Sequence, residues 1–176
     1  MDKQTIRKQI REAKCQFSLE EKQQLSLPIL NNIEGHSLFQ QAQTVMLYWS
    51  MKDEVHTHDF VEKWYQHKRI LLPSINGDEL VLKQFEGMDE LIAGEGFGIP
   101  EPAGDPFTAY NEIDLIIVPG IAFDIQNNRL GRGRGFYDKL LKTTNCPKMG
   151  ICFDFQLLSA IPTEPHDMPM DVVISI

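Results

Sequence analysis

Seven consecutive residues, Arg129-Leu130-Gly131-Arg132-Gly133-Arg134-Gly135, carry three arginines and three glycines. They follow Val118-Pro119-Gly120-Ile121-Ala122-Phe123-Asp124 and precede Phe136-Tyr137-Asp138. This pattern suits an anion. A guanidinium offers a planar fork to two oxygens at once. Glycine lets backbone N–H groups approach with no Cβ in the way, and a helix opening after Gly135 aims more of them at the same place. Between Asp124 and Lys139, four cations (Arg129, Arg132, Arg134, Lys139) face two carboxylates (Asp124, Asp138), in a chain whose net charge is −8. A basic island in an acidic protein points to a local anionic ligand, not a polyanion-binding surface. The motif is neither a Walker sequence, since no Gly-Lys-Ser/Thr follows, nor a dinucleotide fingerprint, since the glycine spacing differs. Phosphate and carboxylate both fit; a basic turn without a ligand is the plainer alternative.

A second group of cations lies near the start. Lys3, Arg7 and Arg11 step by four residues, so a helix places them along one face where two or three reach one anion. A solvated charged face reads equally well from spacing alone. Ile6, Ile10, Ala13 and Phe17 form an apolar stripe on another face. Glu54, after Asp53, is a carboxylate near the end of an apolar run, and such carboxylates are commonly just exposed. The 176 residues hold one substantial core, and 42% hydrophobic with 24% charged residues is ordinary for a globular chain. The charge disfavours nucleic acid and anionic membrane as partners. No apolar stretch is long enough to span a bilayer and no secretory signal opens the chain, so a cytoplasmic location is expected. Cys15, Cys146 and Cys152 are widely spaced, which favours free thiols, with Cys152 buried in an apolar run.

The elements that must position these groups follow from pattern. A helix is expected over Lys3–Lys14. Ser18 with Glu21 has capping-box spacing and starts a second, which Pro28 should interrupt or kink. Strands are expected at Thr44–Trp49, Arg69–Pro73, Glu79–Lys83, Asp114–Val118, Lys148–Phe153 and Asp171–Ile176, with helices near His58–His67 and from the glycine run through Leu141. The stretch Gly94–Pro102 has too much glycine and proline for a helix and reads as an active-site loop, although a surface linker has the same composition. The alternation predicts a single α/β domain over 1–176, three-layered α/β/α and Rossmann-like, with a largely parallel sheet.

At the glycine run the chain resembles the 5-formyltetrahydrofolate cyclo-ligase family, whose signature is roughly Pro-Gly-x-Ala-Phe-Asp, a spacer, then Arg-Leu-Gly-x-Gly-x-Gly-Tyr-Tyr-Asp. Here the spacer is Ile125-Gln126-Asn127-Asn128, and Phe136 replaces the commoner first tyrosine. Further landmarks follow in order: Lys3 with Arg7, Tyr48-Trp49-Ser50 with Asp53-Glu54-Val55, Phe97 with Ile99-Pro100-Glu101-Pro102, and Glu164-Pro165-His166-Asp167. The resemblance implies ATP- and magnesium-dependent (Mg2+) cyclisation of 5-formyltetrahydrofolate, polyglutamylated forms included, to 5,10-methenyltetrahydrofolate through a phosphorylated formyl group, releasing ADP and phosphate. It implies Lys3, Arg7, Arg129, Gly131, Arg132, Gly133, Arg134, Gly135, Phe136, Tyr137 and Asp138 around the nucleotide. Met51, Glu54, Phe97 and Tyr137 fall to the folate, Asp138 and Asp167 to the metal, and Glu54, Arg132 and Tyr137 to catalysis. Phe97 stands where several relatives have tryptophan, which keeps stacking and loses an indole hydrogen bond. His166 is expected at the site's edge, and His36, His56, His58 and His67 in surface or packing roles. A monomer is expected, with a weak dimer left open. The competing readings are a sugar-phosphate isomerase or acyl-CoA-handling enzyme on a related fold, which needs no ATP with folate, and a noncatalytic nucleotide-binding homologue.

Overall fold

In a computed structural model, residues 1–96 and 98–176 are described. Helix α1 (Lys3–Lys14) is capped by Asp2, whose side chain accepts from the Thr5 N–H. Helix α2 (Leu19–Gly35) opens with the expected capping box of Ser18 and Glu21 and runs without a break past Pro28. Burial of Ile29, Leu30 and Ile33 offsets the hydrogen bond that proline cannot donate. Short α3 (Ser37–Gln41) leads into β1 (Thr44–Met46), then α4 (His58–Trp64), β2 (Arg69–Asn76) and β3 (Glu79–Gln84). The hairpin strands β4 (Leu91–Ala93) and β5 (Pro100–Pro102) precede β6 (Leu115–Val118), β7 (Ala122–Asp124) and β8 (Arg129–Leu130). Helix α5 (Phe136–Leu141), β9 (Lys148–Cys152), β10 (Leu157–Leu158) and β11 (Val172–Ser175) complete the order.

The central sheet has the order β11-β9-β6-β1-β2-β3. All neighbours are parallel except β2 and β3. Strands covered on both faces lose the polar alternation of half-exposed ones, and β1, β6 and β9 are buried at every position. Alternate side chains still choose opposite layers. Val45, Ile70, Leu115, Ile117 and Met149 pack with Ile29, Ile33, Phe39 and Phe60 of α2, α3 and α4. Met46, Leu71, Ile116, Val118 and Cys152 pack with Leu140 and Leu141 of α5. The result is the three-layer α/β/α arrangement with a largely parallel sheet that the pattern predicted.

Besides Pro28, two expectations are revised and one element is new. The ladder of β1 ends at Met46, although residues through Ser50 stay buried and the Leu47 N–H still donates to the Leu71 carbonyl. Gly94–Pro102 is not wholly irregular, because its end, Pro100–Pro102, pairs back onto Leu91–Ala93. A small sheet, β10-β7-β8, was not foreseen. Its strands of two or three residues carry no readable period, and α1 packs on it through Ile6 and Ile10 against Ala122, Leu130 and Ile161. All three cysteines are free thiols. Burial pushes Cys152 up to about 12, which suits a packing residue and not a nucleophile. No helix among the described residues is long and apolar enough to cross a membrane.

Candidate functional site

Beyond the carboxyl ends of β1 and β6 the chain opens into a cavity of about 420 Å³. This is where an open parallel sheet leaves room for a ligand. One wall is the glycine run, and its shape is fixed from below by two buried polar side chains. Asp124, at the end of β7, accepts from the Gln126 and Asn128 backbone N–H groups, the Asn128 side-chain amide and the Ile161 N–H. Gln156 donates to the carbonyls of Gly120 and Ile121 and accepts from the Phe153 N–H. Gly133 and Gly135 have φ of 104° and 71°, the left-handed region where a side chain is strained. The alternate glycines thereby let the chain fold back over the cavity before α5 begins.

Each cation of the island has a distinct setting. Arg129 is buried; its Nε donates to the Pro119 carbonyl at 2.9 Å, its Nη1 lies 3.8 Å from Asp138, and its guanidinium stands 5.0 Å from the Tyr137 ring. Arg132 crosses the cavity. Its Nη2 meets both Asp53 oxygens at 2.8 and 3.0 Å and Glu54 Oε1 at 3.2 Å. Burial opposes that cation, but Glu54 and Asp53 outweigh it and raise its pKa. Arg134 rests 5.2 Å from the Phe136 ring. From α1, Arg7 donates to the Gly131 carbonyl at 2.9 Å, and Lys3 bridges Glu164 and Asp167, both at 2.6 Å. Arg11, the third step of that face, is exposed and does not line the cavity.

The opposite wall is mixed. Glu54 is held by a tight turn, its Oε2 accepting from the Met51 N–H at 2.9 Å while Met51 and Trp49 line the cavity beside it. Behind Trp49 the His58 ring stacks at 3.9 Å, so this histidine packs locally as expected. Burial, reinforced by the Glu54 charge, raises the Tyr137 pKa, so its phenol remains a neutral hydrogen-bond donor. Asp138 accepts from the Met168 N–H at 3.1 Å as well as facing Arg129. Among the described residues, Glu164, His166 and Asp167 bring three potential ligand atoms within 4.8 Å of one another. Phe97 lies outside the described residues. Every other residue that the family resemblance assigns to the site lines this one cavity.

The 5-formyltetrahydrofolate cyclo-ligase family model matches residues 1–175. The chain belongs to that family. A family of enzymes therefore accounts for a cavity whose walls join cations from α1 and the glycine run to a carboxylate turn. A 5-formyltetrahydrofolate cyclo-ligase of Mus musculus is 28% identical over 98% of this chain and 92% of its own length. One from Haemophilus influenzae is 28% identical over 98% and 97%. The solved structure of the Aquifex aeolicus 5,10-methenyltetrahydrofolate synthetase superposes with a TM-score of 0.88 at 33% identity, covering 99% of this chain and 90% of that one. The Mycoplasma pneumoniae 5,10-methenyltetrahydrofolate synthetase gives 0.78 at 28% identity, covering 99% and 98%. The family fold thus carries the cavity in this chain.

Sequence reasoning missed several residues that line or support the site, and the pairing of others. Lys14 and Asp53 form an ion pair at 3.2 Å beneath Arg132. Lys14 continues the Lys3–Arg7 face by two further turns, and that spacing was a usable signal. Pro73, Ile75 and Leu80 supply apolar lining from β2 and β3. Nothing local distinguishes them from core strand residues. Gln156 was invisible because its partners lie about 35 positions away.

Proposed function

We propose that residues 1–176 form one cyclo-ligase domain that converts 5-formyltetrahydrofolate to 5,10-methenyltetrahydrofolate at the expense of ATP. The observation that carries this reading is Arg132, which joins the anion-binding glycine run to the Glu54 turn inside a single cavity. A reaction that moves a phosphoryl group from one bound ligand to another needs both halves in one place.

The formyl oxygen is amide-like and a poor leaving group. Its attack on the γ-phosphorus forms a new O–P bond while the bond to ADP breaks. N10 then adds to the activated formyl carbon and loses its proton, and the C–O bond breaks to release phosphate and leave the methenyl bridge. No enzyme nucleophile is required. Lys3, Arg7, Arg129, Arg132 and Arg134, with the backbone of Gly131, Gly133 and Gly135, bind and orient the phosphates. Met51 and Tyr137 wall the pterin side, and Glu54 orients its N–H groups. Asp138 and Asp167 line the cavity and, with Glu164 beside Asp167, offer the hard oxygens that magnesium prefers; these residues would hold it. When bound, magnesium neutralises charge on the phosphates during transfer.

The test is the absorbance of methenyltetrahydrofolate, with matched reactions lacking ATP or magnesium. Product forms only when enzyme, folate, ATP and magnesium are all present. Absence of product from well-folded protein at saturating ligands refutes the reading. Isomerisation of a sugar phosphate without ATP would replace it.

A further inference from the structure

Lys14 is a charged side chain almost wholly removed from water, with 3% of its surface exposed. The reaction proposed above gives it no part. A buried ammonium is costly unless paired, and its hydrogen-bond partner among the described residues is Asp53 Oδ2 at 3.2 Å. That carboxylate also takes Arg132 Nη2 on both of its oxygens, so Asp53 sits between two cations, one buried and one facing the cavity. Arg132 in turn sits between two carboxylates, Asp53 and Glu54. The four charges, Lys14, Asp53, Arg132 and Glu54, form a chain of alternating sign. All three carboxylate bonds of Arg132 fall on Nη2; among the described residues its Nε and Nη1 make no hydrogen bond. The guanidinium is therefore anchored by one nitrogen while two remain for a ligand.

We propose that Lys14 is a positioning residue of the cyclo-ligase: by balancing the charge of Asp53 from below, it leaves Arg132 shared between the carboxylates and the bound phosphate instead of captured by Asp53. The inference rests on the nucleotide reading of this cavity. Without the ammonium, the full charge of Asp53 draws Arg132 toward itself and also repels an anion entering the cavity. Both effects weaken phosphate binding, and both vanish if Asp53 loses its charge as well. A residue that merely filled space beneath the site would behave differently, because a second substitution beside it would add to the damage.

The experiment titrates ATP into the full-length protein by calorimetry, comparing the parent with Lys14→Met, Asp53→Asn and the double variant, each checked for folding by urea denaturation. Lys14→Met weakens ATP binding roughly tenfold, the scale of one charge-assisted hydrogen bond. Adding Asp53→Asn to it returns affinity to within about threefold of the parent, since removing the carboxylate together with its buried partner leaves no uncompensated charge beside Arg132. The double variant decides the matter by itself if Lys14→Met does not fold. Unchanged affinity in Lys14→Met, or a double variant that binds as weakly as Lys14→Met or more weakly than tenfold below the parent, overturns the proposal. If the parent binds no ATP, the nucleotide reading fails on its own account. Inorganic pyrophosphate, titrated into the same variants, then tests Lys14 separately; no response to that anion in the parent overturns both.

Discussion

Replacing Asp124 with asparagine tests whether one buried carboxylate sets the shape of the anion wall. The side chain is 1% exposed and accepts four hydrogen bonds. Its Oδ1 takes the Gln126 and Asn128 N–H groups, both at 2.9 Å. Its Oδ2 takes the Asn128 amide at 3.0 Å and the buried Ile161 N–H at 2.9 Å. Asn at 124 keeps one oxygen but turns an NH2 group toward two donors. The Asn128 amide is half-buried and can rotate toward water, so the main loss is the orphaned Ile161 N–H together with the carboxylate charge. Charge-assisted bonds at roughly 1.5–3 kcal/mol each make about 3 kcal/mol a fair total. For a chain of this length that corresponds to a fall in Tm of about 6–12 °C. Burial opposes the Asp124 charge, but the bonds from Asn128, Ile161 and Gln126 outweigh it and lower its pKa below 3.8. A lowered folded-state pKa gives stability that is present above about pH 4 and lost as pH falls through the depressed value. The gap between parent and Asp124→Asn therefore closes in acid. Urea denaturation at neutral pH and near pH 3 measures it. A loss below about 1 kcal/mol at neutral pH, or a gap that stays constant into acid, refutes the reasoning.

Other substitutions separate the parts of the site. Arg132→Ala reduces turnover more than Arg134→Ala does, because only the former breaks the link to Asp53 and Glu54; ATP titration and methenyl formation rank them, and equal effects count against that link. Glu54→Gln retains ATP affinity and loses roughly tenfold or more in cyclisation, the scale of one charge-assisted hydrogen bond; normal turnover and folate binding would make Glu54 a structural partner of Arg132 alone. Asp138→Asn raises the magnesium concentration needed for half-maximal rate while folate affinity holds; a parental magnesium response assigns Asp138 to holding Arg129 and the Met168 N–H instead.

The parts legible in sequence were those whose physics is local. Helix α1 declared itself through an apolar stripe and a basic stripe, and α2 through its capping box; β6 through an unbroken apolar run; the glycine wall through residue types that few other structures require. Burial on both faces of the central strands follows from their composition, and so did the layered fold. What stayed hidden depends on pairing across long sequence distances. Asp53 reads as an ordinary exposed carboxylate until Lys14 and Arg132, 39 and 79 positions away, close on it. The β10-β7-β8 sheet hid for a different reason. Its strands are too short to show a period, and it exists because Asp124 and Gln156 tie the surrounding loops together.

Lys3, Arg129 and Arg132 each face at least one carboxylate across or beside the cavity. The basic stretch of the sequence thus becomes, in three dimensions, a mosaic whose near field largely cancels. Around it stands a chain of net charge −8. Such a surface has no electrostatic funnel with which to hasten an anion's approach. On the nucleotide reading, capture is then a matter of contact, with Arg132 shared between its carboxylates and the ligand through the nitrogens that Nη2 leaves open. The net charge of −8 opposes an anion's approach, so association quickens as salt screens it, and discrimination between anions appears in how slowly each one leaves.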